Sequence, residues 1–320
     1  MIMPGYSRSL WLGSLAGAFA FASPAWALDG VVASIKPVHS LVSAVMEGVA
    51  EPALVVRGTG SEHVHSLRPS DARALEKASV VFWVGPGMET FLRGPLETLA
   101  AGATIVALED APGLEKLEYR EGGPFEAHSH GDHDHGDDHG HDGHAHGHYD
   151  LHFWLDPVNA KALLAQIERT LGEVDPANAA RYRDNAEAYA ARLDALVAEV
   201  EEQVAPVRDR PAIVFHDAYQ YFEHRFGINV AGSITVSPEV LPGAQRVAEI
   251  RAKVQELDAA CIFSEPQFEP RLVSVVAEGT NARTGVLDPL GAEIEDGPEL
   301  YVRLIRDLST SLTTCLSGEG

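Results

Sequence analysis

Three histidines stand where a chain of this kind could assemble a metal centre. His63 closes the polar loop Gly58-Thr59-Gly60-Ser61-Glu62-His63, which follows an apolar run at 53–56. His152 lies in Leu151-His152-Phe153-Trp154-Leu155, just ahead of Asp156-Pro157, and His216 ends the run Ile213-Val214-Phe215. Imidazole nitrogens are good ligands for Zn²⁺, and three of them with one carboxylate or a water complete the tetrahedral shell this ion takes. Two carboxylates are candidates for that fourth place: Glu62, beside His63, and Asp288, which follows an apolar run at 284–287. These residues are far apart in sequence, and a histidine after a strand is commonly structural, so only a fold that gathers the loops would make a site. Catalysis is disfavoured: the chain has no His-Glu-x-x-His, no nucleophile elbow and no phosphate-cradling glycine loop.

A second histidine feature is of a different kind. From His128 to His148 the chain is almost only His, Asp and Gly, and this tract holds nine of the fifteen histidines. It cannot bury a core and reads as a disordered insert, at 126–149. Imidazoles titrating near pH 6.5 would make labile, interchangeable zinc sites there, weakening on acidification, so the insert is expected to gather zinc or sense it. The other histidines carry less. His39 and His65 lie near the first motif as structural or supporting residues, His224 sits in an aromatic helical stretch and is expected to pack, and Arg68 with Asp71 is expected to pair or cap a helix.

To bring His63, His152 and His216 together, the chain needs elements that end near one another. Short apolar runs at 31–35, 53–56, 80–84 and 104–107, then at 212–215, 228–230, 260–263 and 284–287, alternate with helical patterns. That alternation predicts an α/β fold of two lobes, each a mostly parallel sheet flanked by helices. In such sheets ligands sit beyond the C-terminal ends of the strands, so the predicted metal site lies in the cleft between the lobes. Between the halves, Asp175 and Pro176 read as the start of one long helix. Tyr182, Ala186, Tyr189, Leu193, Leu196 and Val200 recur at three-four spacing until Pro206. The organisation expected is a leader at 1–27, a first lobe at 28–174 containing the insert, a rigid linker helix at 175–205 and a second lobe at 206–320.

The leader reading rests on Arg8, the apolar run 10–21 and the small-x-small triplet Ala25-Trp26-Ala27, which is a signal-peptide pattern and places the chain in the periplasm. The formal charge is −23, and −24 without a leader whose only charged side chain is Arg8. Such a field repels nucleic acid and concentrates cations. Cys261 and Cys315 are the only cysteines, and in an exported protein an even pair reads as a disulfide.

A resemblance sharpens these readings. Ser61-Glu62-His63-Val64-His65-Ser66-Leu67-Arg68-Pro69-Ser70-Asp71, with Val81-Phe82-Trp83-Val84-Gly85-Pro86-Gly87-Met88-Glu89, is similar to the first-lobe signature of the ZnuA family, the zinc-binding components of bacterial high-affinity zinc ABC transporters. Further stretches match in order: Leu151-His152-Phe153-Trp154-Leu155, Phe215-His216-Asp217-Ala218-Tyr219, Pro242-Gly243-Ala244-Gln245, Ser264-Glu265-Pro266-Gln267-Phe268 and Leu287-Asp288-Pro289-Leu290-Gly291. The resemblance implies metal histidines at His63, His152 and His216, with Glu62 or water in the fourth position and Asp288 beside the metal. It also implies zinc over manganese, because manganese-type relatives carry a glutamate where this chain has His216, and imidazole shifts preference toward Zn²⁺. The disulfide matches one found in some members. The implied partners are the zinc ion, an inner-membrane ABC permease and a periplasmic zinc chaperone, for a monomer that is not an enzyme. A zinc buffer without a transporter and a manganese or iron receptor of the same fold are the alternatives.

Overall fold

The computed structural model describes residues 28–120, 125, 149–235, 243–268 and 271–318. The leader expected at 1–27, the histidine tract at 128–148 and Pro242 lie outside the described residues. The first lobe runs β1 (Val31–Ala33), α1 (Lys36–Val45), β2 (Ala53–Leu54), α2 (Pro69–Glu76), β3 (Val80–Trp83), α3 (Arg93–Thr98) and β4 (Thr104–Ala107). Its strands are all parallel, in the order β2-β1-β3-β4. β1 and β3 are unbroken apolar runs buried along their whole length, as a parallel sheet covered on both faces requires.

Two helices follow, α4 (Pro157–Val174) and α5 (Ala179–Val204). Asp156 caps α4, accepting from the Val158 amide at 2.8 Å, and Pro157 occupies its first turn, where a missing N–H costs nothing. α5 has 26 residues, roughly 39 Å at 1.5 Å per residue. Its buried stripe is Tyr182, Ala186, Tyr189, Leu193, Leu196, Val200 and Val204, the spacing read from sequence extended by one turn. The helix begins later than expected, at Ala179. Asp175 ends α4 instead of opening α5, and its carboxylate ties the turn by accepting from Asn178 Nδ2 and the Tyr182 hydroxyl.

The second lobe is β5 (Ala212–His216), α6 (Gln220–Phe226), β6 (Val230–Thr235), α7 (Ala244–Glu256), β7 (Cys261–Ser264), α8 (Arg271–Ala277), β8 (Arg283–Val286) and α9 (Leu300–Ser317). Its parallel sheet has the order β6-β5-β7-β8. β6 is displaced from the expected 228–230. Ile228 and Asn229 only leave the left-handed Gly227 that caps α6, and pairing with β5 begins at Val230, with a register shift near Ala212 and Ile213. Gly232 and Ser233 broke the apolar pattern, yet an edge strand with an irregular register accommodates them.

One continuous core joins β1, β3, α1, α4 and α5 to α6, β7 and α9. A smaller apolar cluster, including Phe215, Ile234, Ile250, Ile262 and Val276, fills the far side of the second sheet under α7 and α8. α9 returns to the first lobe: the Tyr301 amide donates to Ser40 Oγ at 2.9 Å and the Tyr301 hydroxyl to the Trp154 carbonyl at 2.5 Å. α5 braces the same junction, with the Tyr189 hydroxyl donating to Pro298 O at 2.7 Å and Arg192 pairing with Glu299. A Cys261–Cys315 disulfide fastens α9 to β7. Among the described residues no helix is long and apolar enough to cross a membrane.

Candidate metal centre

The C-terminal edges of the two sheets face one another, and the predicted ligands meet there. Glu62 and His63 come from the loop after β2, His152 from the residue preceding a short 3-10 turn at Phe153–Leu155, and His216 from the last position of β5. One donor atom from each of these four lies within 4.8 Å of the other three. The three rings form a nearly equilateral set, with centroids 5.5, 5.6 and 5.3 Å apart.

The atoms that face inward are those a metal would need. His152 Nε2 and His216 Nε2 are 3.4 Å apart, against about 3.3 Å for two nitrogens on a tetrahedral zinc with bonds near 2.05 Å. Glu62 Oε1 lies 3.8 Å from His63 Nε2 and 3.8 Å from His152 Nε2. A shell slightly wider than the bound form needs only a small contraction to close on an ion.

The outward nitrogens are held. His152 Nδ1 is 2.7 Å from Asp150 Oδ1, which also accepts the His152 backbone amide, and His216 Nδ1 is 2.7 Å from Glu265 Oε1. A carboxylate facing Nδ1 orients each ring with Nε2 inward and raises its basicity, so that the ring offers the Nε2 lone pair to an ion once that nitrogen is deprotonated. Trp154 packs near His152, and Tyr219 and Phe268 near His216, so the centre is polar within an apolar wall. Burial, reinforced by neighbouring His152 and His216, holds His63 well below the ordinary imidazole range. At His216 burial also disfavours the cation, but the surrounding carboxylates, Glu265 foremost with Glu62 and Asp217, together outweigh it and bring the ring up to about 9.

Asp288 is not brought into this group. Its Oδ1 accepts from the Leu290 and Gly291 amides and from Gln267 Nε2, and its Oδ2 accepts the Ala292 amide at 2.6 Å. That carboxylate shapes the loop after β8 where the sequence offered it as a ligand. The remaining histidines fall elsewhere. His39 Nε2 bonds the Pro52 carbonyl at 3.0 Å, and His65 sits beside Asp71 and Phe91. Arg68 and Asp71 do form the expected cap and ion pair at the start of α2. His224 does not pack; it is largely exposed and pairs with Glu115, because the buried stripe of α6 runs through Tyr221, Phe222 and Phe226.

Asp150 and Glu265 were missed by sequence reasoning, although both stood in plain view. Glu265 is the residue after β7, the strand next to β5, so a carboxylate there faces the residue that ends β5. Asp150 precedes His152 by two positions, the spacing at which a side chain can accept both the backbone and the ring nitrogen.

Known proteins resemble this chain closely. A family model described as "ZnuA: Zinc-uptake complex component A periplasmic" matches residues 31–315. The chain is 60% identical over 330 residues to the high-affinity zinc uptake system protein ZnuA of Brucella suis biovar 1, covering 97% of this chain and 98% of that protein. It is 39% identical over 321 residues to the protein of the same name from Yersinia pestis, covering 97% and 99%. Among solved structures, a crystal structure of ZnuA superposes with a TM-score of 0.71 at 22% identity, covering 89% of this chain and 98% of the other. A mutant of the laminin-binding adhesin Lmb from Streptococcus agalactiae does so with a TM-score of 0.72 at 24% identity, covering 89% and 98%. At those identities the structural likeness concerns the fold.

Proposed function

The chain belongs to the ZnuA family of periplasmic zinc-uptake components, and from that membership we propose that it captures Zn²⁺ in the cleft between its lobes and hands the ion to an inner-membrane ABC permease. Glu62 Oε1 and the Nε2 atoms of His63, His152 and His216 are the four ligands in this reading, with Asp288 holding the adjoining loop. The observation that carries it is the convergence of these four donors, with a tetrahedral edge already formed between His152 and His216. Four protein ligands make a closed shell, and zinc enzymes keep a position open for water, so the arrangement favours a carrier over a hydrolase. Three imidazoles also favour zinc over manganese, which prefers harder oxygen ligands.

Capture and release follow from where the ligands sit. Glu62, His63 and His152 belong to the first lobe and His216 to the second, so an ion bound by all four joins the lobes. The shell contracts on loading, and docking on the permease loosens the single second-lobe ligand to let the ion go. In this account the leader directs the chain to the periplasm and is removed, the protein acts as a monomer, and the histidine tract gathers zinc near the cleft. A periplasmic zinc chaperone would be a donor upstream of the same site.

X-ray absorption at the zinc edge, on protein carrying one equivalent of zinc and lacking residues 128–148, tests the ligand set. The expected shell is three nitrogens and one oxygen at about 2.0–2.1 Å, with the oxygen contribution altered in Glu62→Gln. A six-oxygen shell, or a spectrum that His216→Ala leaves unchanged, would overturn the assignment.

A further inference from the structure

The segment that leads toward the histidine tract is laid against the second lobe. The Leu117 amide donates to the Tyr221 hydroxyl at 2.9 Å, and that hydroxyl donates to the Asp150 carbonyl at 2.7 Å. Gln220 Nε2 donates to the Glu118 carbonyl at 3.0 Å, and Glu118 and Tyr149 form an antiparallel bridge between the two arms. All of these contacts fall on or beside α6, which follows His216 after the short turn Asp217-Ala218-Tyr219.

Arg120 ends this strap, and its guanidinium joins two buried carboxylates. It donates from Nε and a terminal nitrogen to Asp217, and from both terminal nitrogens to Glu223, at 2.6 and 3.0 Å. The Phe125 ring lies 4.0 Å from the guanidinium carbon. Both carboxylates lie almost wholly out of water. Burial pushes Glu223 up to about 7 and Asp217 upward as well, and Arg120 works against this in both. Asp217 is covalently next to His216, and the Ala218 amide closes the turn by donating to the His216 carbonyl at 2.9 Å. Arg120 is thus a first-lobe cation that ties Asp217, the residue next to the second lobe's sole ligand, to Glu223 on the helix that follows the turn.

We propose that Arg120 is a positioning residue: its fork on Asp217 and Glu223 fixes His216 against Glu62, His63 and His152, and so sets how fast the ion leaves the cleft. The inference rests on the ligand assignment proposed above. Two effects of removing Arg120 oppose each other. Loss of a nearby positive charge strengthens the attraction for Zn²⁺ and slows release, whereas loss of the fork unties Asp217 from Glu223, loosens the turn beside His216 and speeds it. Groups behind a metal ligand are worth about 10- to 100-fold in metal affinity. Lysine keeps the charge but cannot span two carboxylates with a planar fork, so it separates the two effects.

The experiment is stopped-flow release of one equivalent of Zn²⁺ into an excess of a chromophoric chelator, with thermal melting of each metal-free variant alongside. The chain begins at Leu28 and lacks residues 128–148. Arg120→Gln is expected to release zinc about tenfold faster, Arg120→Lys at an intermediate rate, and Arg225→Gln at the native rate. Arg225, also on α6, bonds Glu115 on the strap and Asp156 at the start of α4 without touching the turn, so it measures general loosening. Should Arg120→Gln fail to fold, the intermediate rate of Arg120→Lys decides. Unchanged or slower release in the Arg120 variants, or equal acceleration in Arg225→Gln, overturns the inference and leaves the zinc site standing. Native protein that releases zinc as fast as His216→Ala removes the ligand assignment and the inference together.

Discussion

The two lobes share one strand order but contribute unequally to the candidate metal centre. In each sheet the first strand of the lobe lies between the second and third, with the fourth at the far edge. The first lobe brings Glu62, His63 and His152, all from loops or turns, and the second brings His216 alone, from the end of a buried strand. His63 is 22% exposed at its side chain, whereas His216 is 1% exposed and tied through Nδ1 to Glu265. The difference assigns the lobes different tasks. Loop ligands can settle around an ion, and a strand-end ligand gives them a fixed point to settle against.

The largest loss is expected at His216. Zinc sites are worth roughly 10–16 kcal/mol over four ligands, so His216→Ala should lose on the order of 3 kcal/mol, about a hundredfold in affinity, together with most of the zinc-dependent rise in melting temperature. Glu62→Gln, in the lobe that has three ligands, should lose only about tenfold, since water can take the vacated place. Equal losses in calorimetric titrations of the two variants would mean that the lobes do not divide the work this way.

The carboxylates behind the rings sharpen it. Glu265→Gln removes the negative charge from the acceptor that fixes His216, and Asp150→Asn does the same behind His152; each should weaken zinc by about 10- to 100-fold. The second-lobe change should be the larger, because no neighbouring ligand compensates there. Chelator competition on both variants gives the order, and a larger effect at Asp150 would reverse the account. The smallest effect on zinc is expected at the disulfide. Cys315→Ser opens a loop closed across a separation of 54 residues, which the chain-entropy model values at roughly 4 kcal/mol of stability. Denaturant melts should show that loss with zinc affinity nearly unchanged, since Cys261 and Cys315 lie in the β7–α9 contact and not among the ligands.

The contrast between the lobes also explains what could be read from the chain before its fold was known. Strands buried on both faces, such as Val80-Val81-Phe82-Trp83, announce themselves as apolar runs, and the α5 stripe shows its period. β6 does not, because an edge strand with Gly232 and Ser233 in it reads as a turn. The three histidines that converge in the cleft were legible because each stands at an element boundary and matches a family stretch. Asp288 shared those marks and still lies outside the cluster, since position after a strand does not reveal that three backbone amides already hold the carboxylate. Asp150 had a local signal, its spacing of two from His152, whereas Glu265 and Arg120 act through contacts that only the packed chain creates.

The most direct test of the central claim counts tight zinc by competition with a chelator in three proteins: the chain from Leu28 onward, the same chain lacking residues 128–148, and the chain carrying His216→Ala. The account predicts that the deletion keeps one tight zinc and that His216→Ala loses it. Tight binding that disappears with the histidine tract and survives His216→Ala would contradict it, and would make the protein a histidine-tract zinc buffer whose lobes do not grip the ion.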